Sequence, residues 1–328
     1  MRGVGVVYTV DALRRRDWYT DCSHAVDVTR RRAPEVDVLL DAGLYTGSKR
    51  KSASEPFNRD WINLQRRHGL PWALTDSGYC AAGDLSGLRN ILTRSTQIAG
   101  AVIAALPVAY PWLTHDAAVL RDEIDRHGVP VALMIEDPAD PFDRLGAVDG
   151  LVEVLRAATP VLLLRTDTAA LGALAYGAAA AAVGTTSRFR HFYPTKNNSF
   201  VPKPGLSFVI PALLGYYSST RFSNAYGRDW RHPAWRCGCV YCMDRDLTWI
   251  ADHMSPPEAA FQHSVATLAD IGQGLANAIA AGATSHEAWT RACRDAGQAE
   301  ISVEAACGAW APKKSLERWI GVAPAGRP

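Results

Sequence analysis

The chain has 328 residues, of which 48% are apolar and 21% are charged, so it can bury a core and falls outside the disordered class. Its 35 Lys and Arg residues nearly balance its 33 Asp and Glu residues, and this balance neither demands nor excludes a polyanionic partner. No run of eighteen apolar residues occurs, so we expect no membrane-spanning helix and no membrane partner.

The first residues read MRGVGVVYTVDALRRR, with arginines after the apolar segment instead of before it. This order is the reverse of a secretory signal, and we interpret Val4–Val10 as a strand. We therefore expect a cytoplasmic protein.

Short apolar runs alternate with helical stretches along the first two-thirds of the chain. Helices fit between most of the runs, for instance Ala117–His127 before Gly128 and Val148–Ala158 before Pro160. The runs predict seven strands and a weaker eighth, namely Gly5–Val10, Val36–Asp41, Trp72–Asp76, Ala101–Leu106, Val131–Glu136, Val161–Arg165, Ala178–Gly184 and, as the eighth, Phe208–Pro211.

Strands that alternate with helices pair in parallel, and about eight such units favour an α/β fold of the closed (β/α)8 TIM-barrel type. An open doubly wound sheet is the alternative. No GxGxxG or Walker motif follows the first strand, which weakens a nucleotide-cofactor interpretation of that alternative.

From about Thr195 the alternating pattern ends. A segment rich in Pro, Gly, aromatic and polar residues leads to Trp235, and helical stretches follow from about Glu258 to Gly282 and from about His286. We therefore predict the main part of the barrel in residues 1–194. Residues 195–328 would supply the last barrel segment, a zinc-binding subdomain and C-terminal helices.

Acidic and polar residues stand where the predicted strands end, which is where barrels carry functional side chains. These positions are Asp41, Asp76 with Ser77, Glu136 with Asp137, and Arg165 with Asp167. Each is also explained as a helix cap or a turn residue. In the segment TDSGYC, Gly78 would let a planar ligand approach the backbone.

Three of the seven cysteines, Cys237, Cys239 and Cys242, lie within CGCVYC. In a chain without an export signal this spacing predicts a metal site, and Zn²⁺ prefers four such ligands in a tetrahedron. His253 and His263 could each supply the fourth ligand. Four protein ligands leave no open position, so the ion would be structural.

The DSG strand end and the cysteine spacing together resemble the tRNA-guanine transglycosylase superfamily. Members have a (β/α)8 barrel and a zinc site completed by a histidine on a helix, and the segment HSVATLADIGQGLANAI from His263 is similar to that helix. The resemblance therefore implies His263 as the fourth ligand. It also implies that Asp76 contacts the edge of the base and serves in proton transfer.

Family members exchange a guanine in nucleic acid for a 7-deazaguanine through an aspartate that attacks the ribose C1′. The aspartate position falls on Ala182 in this chain. Glu136, which roughly matches a family glutamine that touches the base, and Asp167 are the acids that could take its place. The alternatives are a nucleic-acid-binding member that has lost the chemistry and an N-glycosidic hydrolase.

A DNA-modifying branch of the superfamily installs 7-cyano-7-deazaguanine, and the divergence at Ala182 fits this branch. The resemblance implies DNA, or else tRNA, and a 7-deazaguanine base as partners, and leaves a partner protein such as an ATPase open. Basic clusters lie at Arg14–Arg16 and Lys49–Lys51, among others. We expect Arg165 to contact substrate, and Arg188, Arg190, His191 and the stretch Arg228–Arg236 to guide nucleic acid to a flipped-out base.

Overall fold

The computed structural model describes residues 4–10, 18–195 and 205–323, so the basic cluster Arg14–Arg16 lies outside the described residues. Nine strands are assigned in this part of the chain. Their bounds are β1 Gly5–Thr9, β2 Asp37–Asp41, β3 Ala73–Leu74, β4 Val102–Ala109, β5 Val131–Glu136, β6 Val161–Thr166, β7 Ala180–Val183, β8 Ser207–Ile210 and β9 Gly215–Ser218.

The α-helices of the same part alternate with the strands up to α8 and dominate after β9. Their bounds are α1 Trp18–Arg32, α2 Arg59–Arg67, α3 Leu85–Thr96, α4 Pro111–Thr114, α5 Ala117–His127, α6 Ala147–Leu155, α7 Ala169–Ala175, α8 Ser187–Arg190, α9 Ser219–Tyr226, α10 Trp249–Asp252, α11 Pro256–Ala280, α12 Ser285–Cys307 and α13 Lys314–Gly321.

Strands β3 to β7 form a five-stranded sheet in sequential order, and every pairing in it is parallel. The sheet curls into half of a barrel. β1 and β2 form a separate parallel pair. The prediction of an α/β fold with parallel strands is therefore confirmed, while the described strands do not show closure into eight.

The predicted eighth strand exists but pairs differently. β8 forms an antiparallel hairpin with β9, in the register Ser207↔Ser218, and this hairpin contacts α11. A 3₁₀ turn at Pro211–Leu213 and Leu214, at φ 47°, reverse the chain directly after β8. So short a connection joins antiparallel strands only, because a parallel pairing needs a crossover of a dozen residues or more.

The side chains on the two faces of the parallel strands belong to two different apolar clusters. The inner face of the curled sheet and one face of the β1–β2 pair together contribute apolar residues to a single cluster, which includes Val7, Leu39, Leu74, Ala105, Met134, Leu164 and Ala182. The alternate residues, among them Leu106, Leu133 and Leu163, pack against the helices. This period of two is the side-chain alternation of β-strands.

The C-terminal helices pack on the half-barrel. Trp289 of α12 and Trp319 of α13 belong to the same buried cluster as the outer faces of β4 to β6. A Cβ atom added to Gly172 of α7 would lie 2.7 Å from the Trp289 ring, so these helices touch closely. A second cluster, around Trp235 and Phe208, forms the core of the segment that carries the three cysteines. Within the described ranges no helix is long and apolar enough to cross a membrane.

Candidate functional site

Cys237, Cys239, Cys242 and His263 come together as a buried cluster, which confirms the grouping expected from the sequence. The ligand atoms of all four residues lie within 4.8 Å of one another. His263 Nδ1 is 3.6 Å from Cys239 Sγ and 3.2 Å from Cys242 Sγ. Around a tetrahedral zinc ion, bond lengths of about 2.3 Å to sulfur and about 2.0 Å to nitrogen place N and S about 3.5 Å apart.

A tight turn carries the three cysteines. Cys242 N donates to Cys239 O at 3.0 Å, and Asp244 N donates to Cys237 O at 3.0 Å. Met243 and Asp244 both have positive φ, at 51° and 63°, and these two left-handed residues reverse the chain directly after the third thiol. The local sequence therefore directs all three sulfur atoms to one point.

His263 is oriented by a second hydrogen bond. Its Nε2 lies 2.7 Å from Val209 O on β8, and a carbonyl oxygen accepts, so Nε2 carries the proton and Nδ1 presents a lone pair to the sulfurs. Trp249 Nε1 donates to Cys242 Sγ at 3.3 Å. Such outer partners are typical of metal-ligating histidine and cysteine. His253 is exposed, and its Nδ1 lies within hydrogen-bond distance of the Ser255 backbone instead.

The donor set fits a metal ion. A hydrogen bond from Cys242 lowers the pKa of the Cys237 thiol and favours the thiolate, which is the form that binds a metal. All four side chains are buried, and soft sulfur ligands with one imidazole match zinc. The cluster is therefore a candidate closed metal centre.

Asp76 lies at the carboxyl end of β3, and it is 2% exposed. Lys51 Nζ donates to Asp76 Oδ2 at 2.8 Å and to the Asp76 carbonyl at 3.0 Å. The backbone N–H of Asn58 lies 3.0 and 3.1 Å from the two carboxylate oxygens. The carboxylate is thus held by the loop between β2 and α2.

Ser77 and Gly78 serve the loop geometry. The Ser77 hydroxyl bonds Thr75 Oγ1 at 2.7 Å in the interior. A Cβ atom on Gly78 would lie 2.2 Å from Ser52 O, so glycine is needed there because the β2–α2 loop passes directly over it. The expected room for a planar ligand at Gly78 is therefore taken by the chain's own backbone.

Glu136, at the end of β5, accepts from two partners. Arg50 binds Glu136 Oε1, and the Tyr79 hydroxyl donates to Oε2. The Arg50 guanidinium stacks 3.5 Å above the Tyr79 ring. Glu136 is 7% exposed, and Arg50 of the β2–α2 loop contacts it, so this loop contributes to the burial of both acids.

A third polar group joins the ends of β2 and β6. Tyr45 donates to Asp41 Oδ2 at 2.7 Å, and Arg165 Nε donates to the Tyr45 hydroxyl at 2.6 Å. Arg165 has φ 53°, a strained conformation for a non-glycine residue. Burial raises the pKa of Tyr45, so its hydroxyl stays protonated. A cleft of about 490 Å³ beside Arg165 is also lined by Arg188 and Phe189.

Asp167 sits apart from the other two acids, where the half-barrel meets the C-terminal helices. Lys313 Nζ donates to Asp167 Oδ2 at 3.0 Å, and Ala169 N donates to Oδ1 at 3.1 Å. Burial raises the pKa of Asp167, but the charge of Lys313 and the hydrogen bond from Ala169 N, together with smaller contributions, outweigh it and hold the pKa at about 2. Burial and the charge of Asp167 raise the pKa of neighbouring Asp140 to about 7.

Arg188 and Arg190, two of the residues expected to guide nucleic acid, have different surroundings. Arg188 is exposed, at the edge of the cleft. Arg190 is only 3% exposed: it donates to Ser207 Oγ at 2.6 Å and stacks 3.7 Å from the Tyr216 ring. A guanidinium enclosed in this way does not reach a phosphate at a rim, so the expected rim position is wrong for Arg190.

Ala182 belongs to the inner apolar cluster of the half-barrel. The position that the resemblance matches to the nucleophile therefore packs against the interior and carries no reactive group. Phe192 belongs to the same cluster, with its ring 5.0 Å from the Tyr45 ring and 5.8 Å from the Tyr79 ring.

Sequence reasoning missed the cations and hydroxyls that bind the three acids. Arg50, Lys51, Tyr79 and Lys313 make these contacts from positions 86, 25, 57 and 146 residues away along the chain. The only signal was the basic run Lys49–Lys51, and it has no local feature that names an acid as its partner.

No family model matches the chain, and no curated protein matches it. The resemblance to the transglycosylase superfamily therefore depends on the DSG strand end and the cysteine motif, and the function depends on the chemistry of the cysteine cluster and the strand-end acids.

Proposed function

We propose that the chain is a transglycosylase that replaces guanine in nucleic acid, with DNA as the polymer, by a 7-deazaguanine such as 7-cyano-7-deazaguanine. One observation carries this proposal. Asp76 and Glu136 gather at the carboxyl ends of parallel strands in a chain that also holds a Cys₃His cluster. That combination is what the resemblance implies for a base-exchange enzyme.

The proposal includes a closed (β/α)8 barrel. Its support is the inner cluster, in which side chains from β1 to β7 meet around one interior. Barrels place their active sites at the carboxyl ends of the strands, where Asp76 and Glu136 lie.

The proposal also includes zinc at the Cys₃His cluster. Cys237, Cys239, Cys242 and His263 would hold it in a closed tetrahedron. A zinc ion bound in this way stabilises the fold and takes no part in the reaction, because no coordination position is left open.

Glu136 is the acid we assign to the place of the missing nucleophile. Asp167 pairs with Lys313 at the junction with the C-terminal helices. Glu136 and Asp76 are instead both bound by side chains of the β2–α2 loop, so they lie at the same edge of the sheet. A Glu136 oxygen would bond to the sugar C1′ as the C1′–N9 bond breaks, and the electron pair of that bond would go to N9 of the departing guanine, which takes up a proton from solvent by way of Asp76. The incoming base would give up a proton to solvent by the same route, bond to C1′ and displace the Glu136 carboxylate.

The test is incubation with labelled 7-cyano-7-deazaguanine and, in parallel, guanine-containing duplex DNA, single-stranded DNA and tRNA. The proposal expects label in DNA together with an equal amount of released guanine. Label in tRNA alone would show that the polymer is tRNA and not DNA. Guanine release without label would show a hydrolase.

A second candidate function is nucleic-acid binding without chemistry, which Ala182 in the inner cluster favours. Binding of DNA with neither label nor guanine release would establish it and overturn the exchange proposal.

A further inference from the structure

Arg50 and Lys51 are neighbours in the chain, and each binds a different acid of the proposed site. Arg50 pairs with Glu136 at the end of β5, and Lys51 pairs with Asp76 at the end of β3. Two consecutive cations thus cover both carboxylates from one loop.

This cover has to open before a base can reach either acid. Asp76 is 2% exposed and Glu136 is 7% exposed beneath the loop. A carboxylate has about four acceptor sites, and Asp76 already faces Lys51 and the N–H of Asn58. Any hydrogen bond to a base edge therefore competes with the loop.

The side chains can leave while the loop backbone stays. The backbone at Ser52 and Ala53 is fastened to Tyr79: Tyr79 N donates to Lys51 O at 2.8 Å, and Ala53 N donates to Tyr79 O at 3.0 Å. The Arg50 and Lys51 side chains are long, and they are 22% and 11% exposed. The exposed Lys49 adds a third cation at the same edge.

A nucleic acid brings the group that would draw these cations away. Arg and Lys bind phosphodiester oxygens, and the contact releases counterions from the polymer. An unstacked nucleotide placed above Asp76 and Glu136 would carry a phosphate on either side of its sugar, at the height of the loop.

We propose that Arg50 and Lys51 form a phosphodiester-binding element, and that Glu136 and Asp76 are their partners only while nucleic acid is absent. This inference rests on the proposed function for its choice of nucleic acid. When phosphate groups bind Arg50 and Lys51, these side chains leave Glu136 and Asp76, and the two carboxylates can then contact the base.

The experiment measures the affinity of the full chain for a guanine-containing DNA duplex across low to moderate salt. Arg50→Met and Lys51→Met should each weaken binding severalfold and reduce the slope of log affinity against log salt by about one. Arg50→Lys should keep most of the slope, because it keeps the charge. Arg294→Met, on the exposed face of α12, is the matched control and should leave the slope unchanged.

Glu136→Gln gives the sharpest contrast. Removing the competing carboxylate frees Arg50, so this variant should bind the duplex more tightly than the parent. If the Arg50–Glu136 pair is only structural, Glu136→Gln will not tighten binding, and that result overturns the inference. The double variant Arg50→Met with Glu136→Gln leaves no unpaired buried charge, and it should bind as weakly as Arg50→Met.

These outcomes are separate from those of the proposed function. A parent that binds DNA with the expected variant effects but exchanges no base would refute the exchange reaction and support this element. A parent that exchanges the base while Arg50→Met and Lys51→Met keep its affinity and salt slope would support the exchange reaction and refute the element.

Discussion

The cysteine cluster and the strand-end acids are both buried polar groups, but they differ in how they are satisfied. In the cysteine cluster, the four ligand atoms lie within 4.8 Å of one another, and their further hydrogen-bond partners include the uncharged side chains of Thr267 and Trp249. At the strand ends, each of Asp76, Glu136 and Asp167 binds a Lys or Arg side chain of the same chain.

This difference indicates which of the two groups is suited to a ligand that the chain itself does not supply. Thiolates that face each other in the interior would repel unless a cation lay between them, so this donor set suits a metal ion. The acids already have their counter-charges and are stable as they stand. For them, an external ligand has to replace an existing contact.

The largest effect should come from the cysteine cluster. Cys239→Ala should lose stoichiometric zinc and several kcal/mol of unfolding free energy, because metal binding in such sites is coupled to folding. Metal analysis and chemical denaturation measure both. His253→Ala, at the exposed histidine, should keep the metal, and full zinc content in Cys239→Ala would contradict the assignment.

The next effect concerns Asp76, in the exchange assay. Asp76→Asn removes the charge that faces Lys51 and the base while keeping the shape, so exchange should fall by about 10²–10⁴-fold with the fold intact. Asp60→Asn removes an exposed carboxylate on α2 and should change nothing. Full turnover in Asp76→Asn would mean that the carboxylate only holds the loop.

Lys313→Met should destabilise the chain by about 3–5 kcal/mol, because it leaves Asp167 buried without its counter-charge. Lys314→Met, at the exposed neighbour, should be near neutral. Adding Asp167→Asn to Lys313→Met should restore part of the stability measured by urea unfolding. Equal stabilities for the two lysine variants would show that the pair contributes nothing.

The smallest expected effect is a dependence of the unfolding free energy on pH. The pKa of Asp140 is raised to about 7, so between about pH 4 and pH 7 the folded chain holds a proton that the unfolded chain has lost. Stability should therefore fall as pH rises through this window, and Asp140→Asn should flatten that fall. Asp149→Asn, at an exposed acid, should keep the parent's slope.

Asp167 should change the stability with pH in the opposite direction from Asp140. Its pKa of about 2 lies below the ordinary value, so its contribution is present above about pH 4 and is lost as pH falls toward 2. Unfolding measured from pH 2 to pH 8 separates the two acids, because their windows lie on either side of pH 4. A parent curve that is flat over both windows would refute both assignments.

Much of the alternating pattern could be predicted because its signals are local. The helix Ala117–His127 and the strand Val131–Glu136 have the predicted bounds, and Gly128 ends the helix in the left-handed conformation at φ 64°. The Phe208–Pro211 prediction located a strand but not its pairing, since an apolar run looks the same in either sheet.

For the sites, the sequence was most informative where the ligands are close together. CGCVYC places three sulfurs by local spacing, and the resemblance selected His263 over His253. The strand-end acids could also be placed, because parallel strands bring their carboxyl ends to one edge. Their partners could not be, as Glu136 binds a residue 86 positions away and Asp167 one 146 positions away.

The sequence by itself determined the α/β alternation, the group of three cysteines and the positions of the acids, because each depends on spacing within a few turns or one strand. Only the tertiary structure decided that Arg190 is enclosed, that Gly78 lies under Ser52, and that Arg50 and Lys51 cover the two acids. The physical reason is that charge pairing and close packing act between surfaces that meet only after the chain has folded, and such contacts leave no mark on local periodicity.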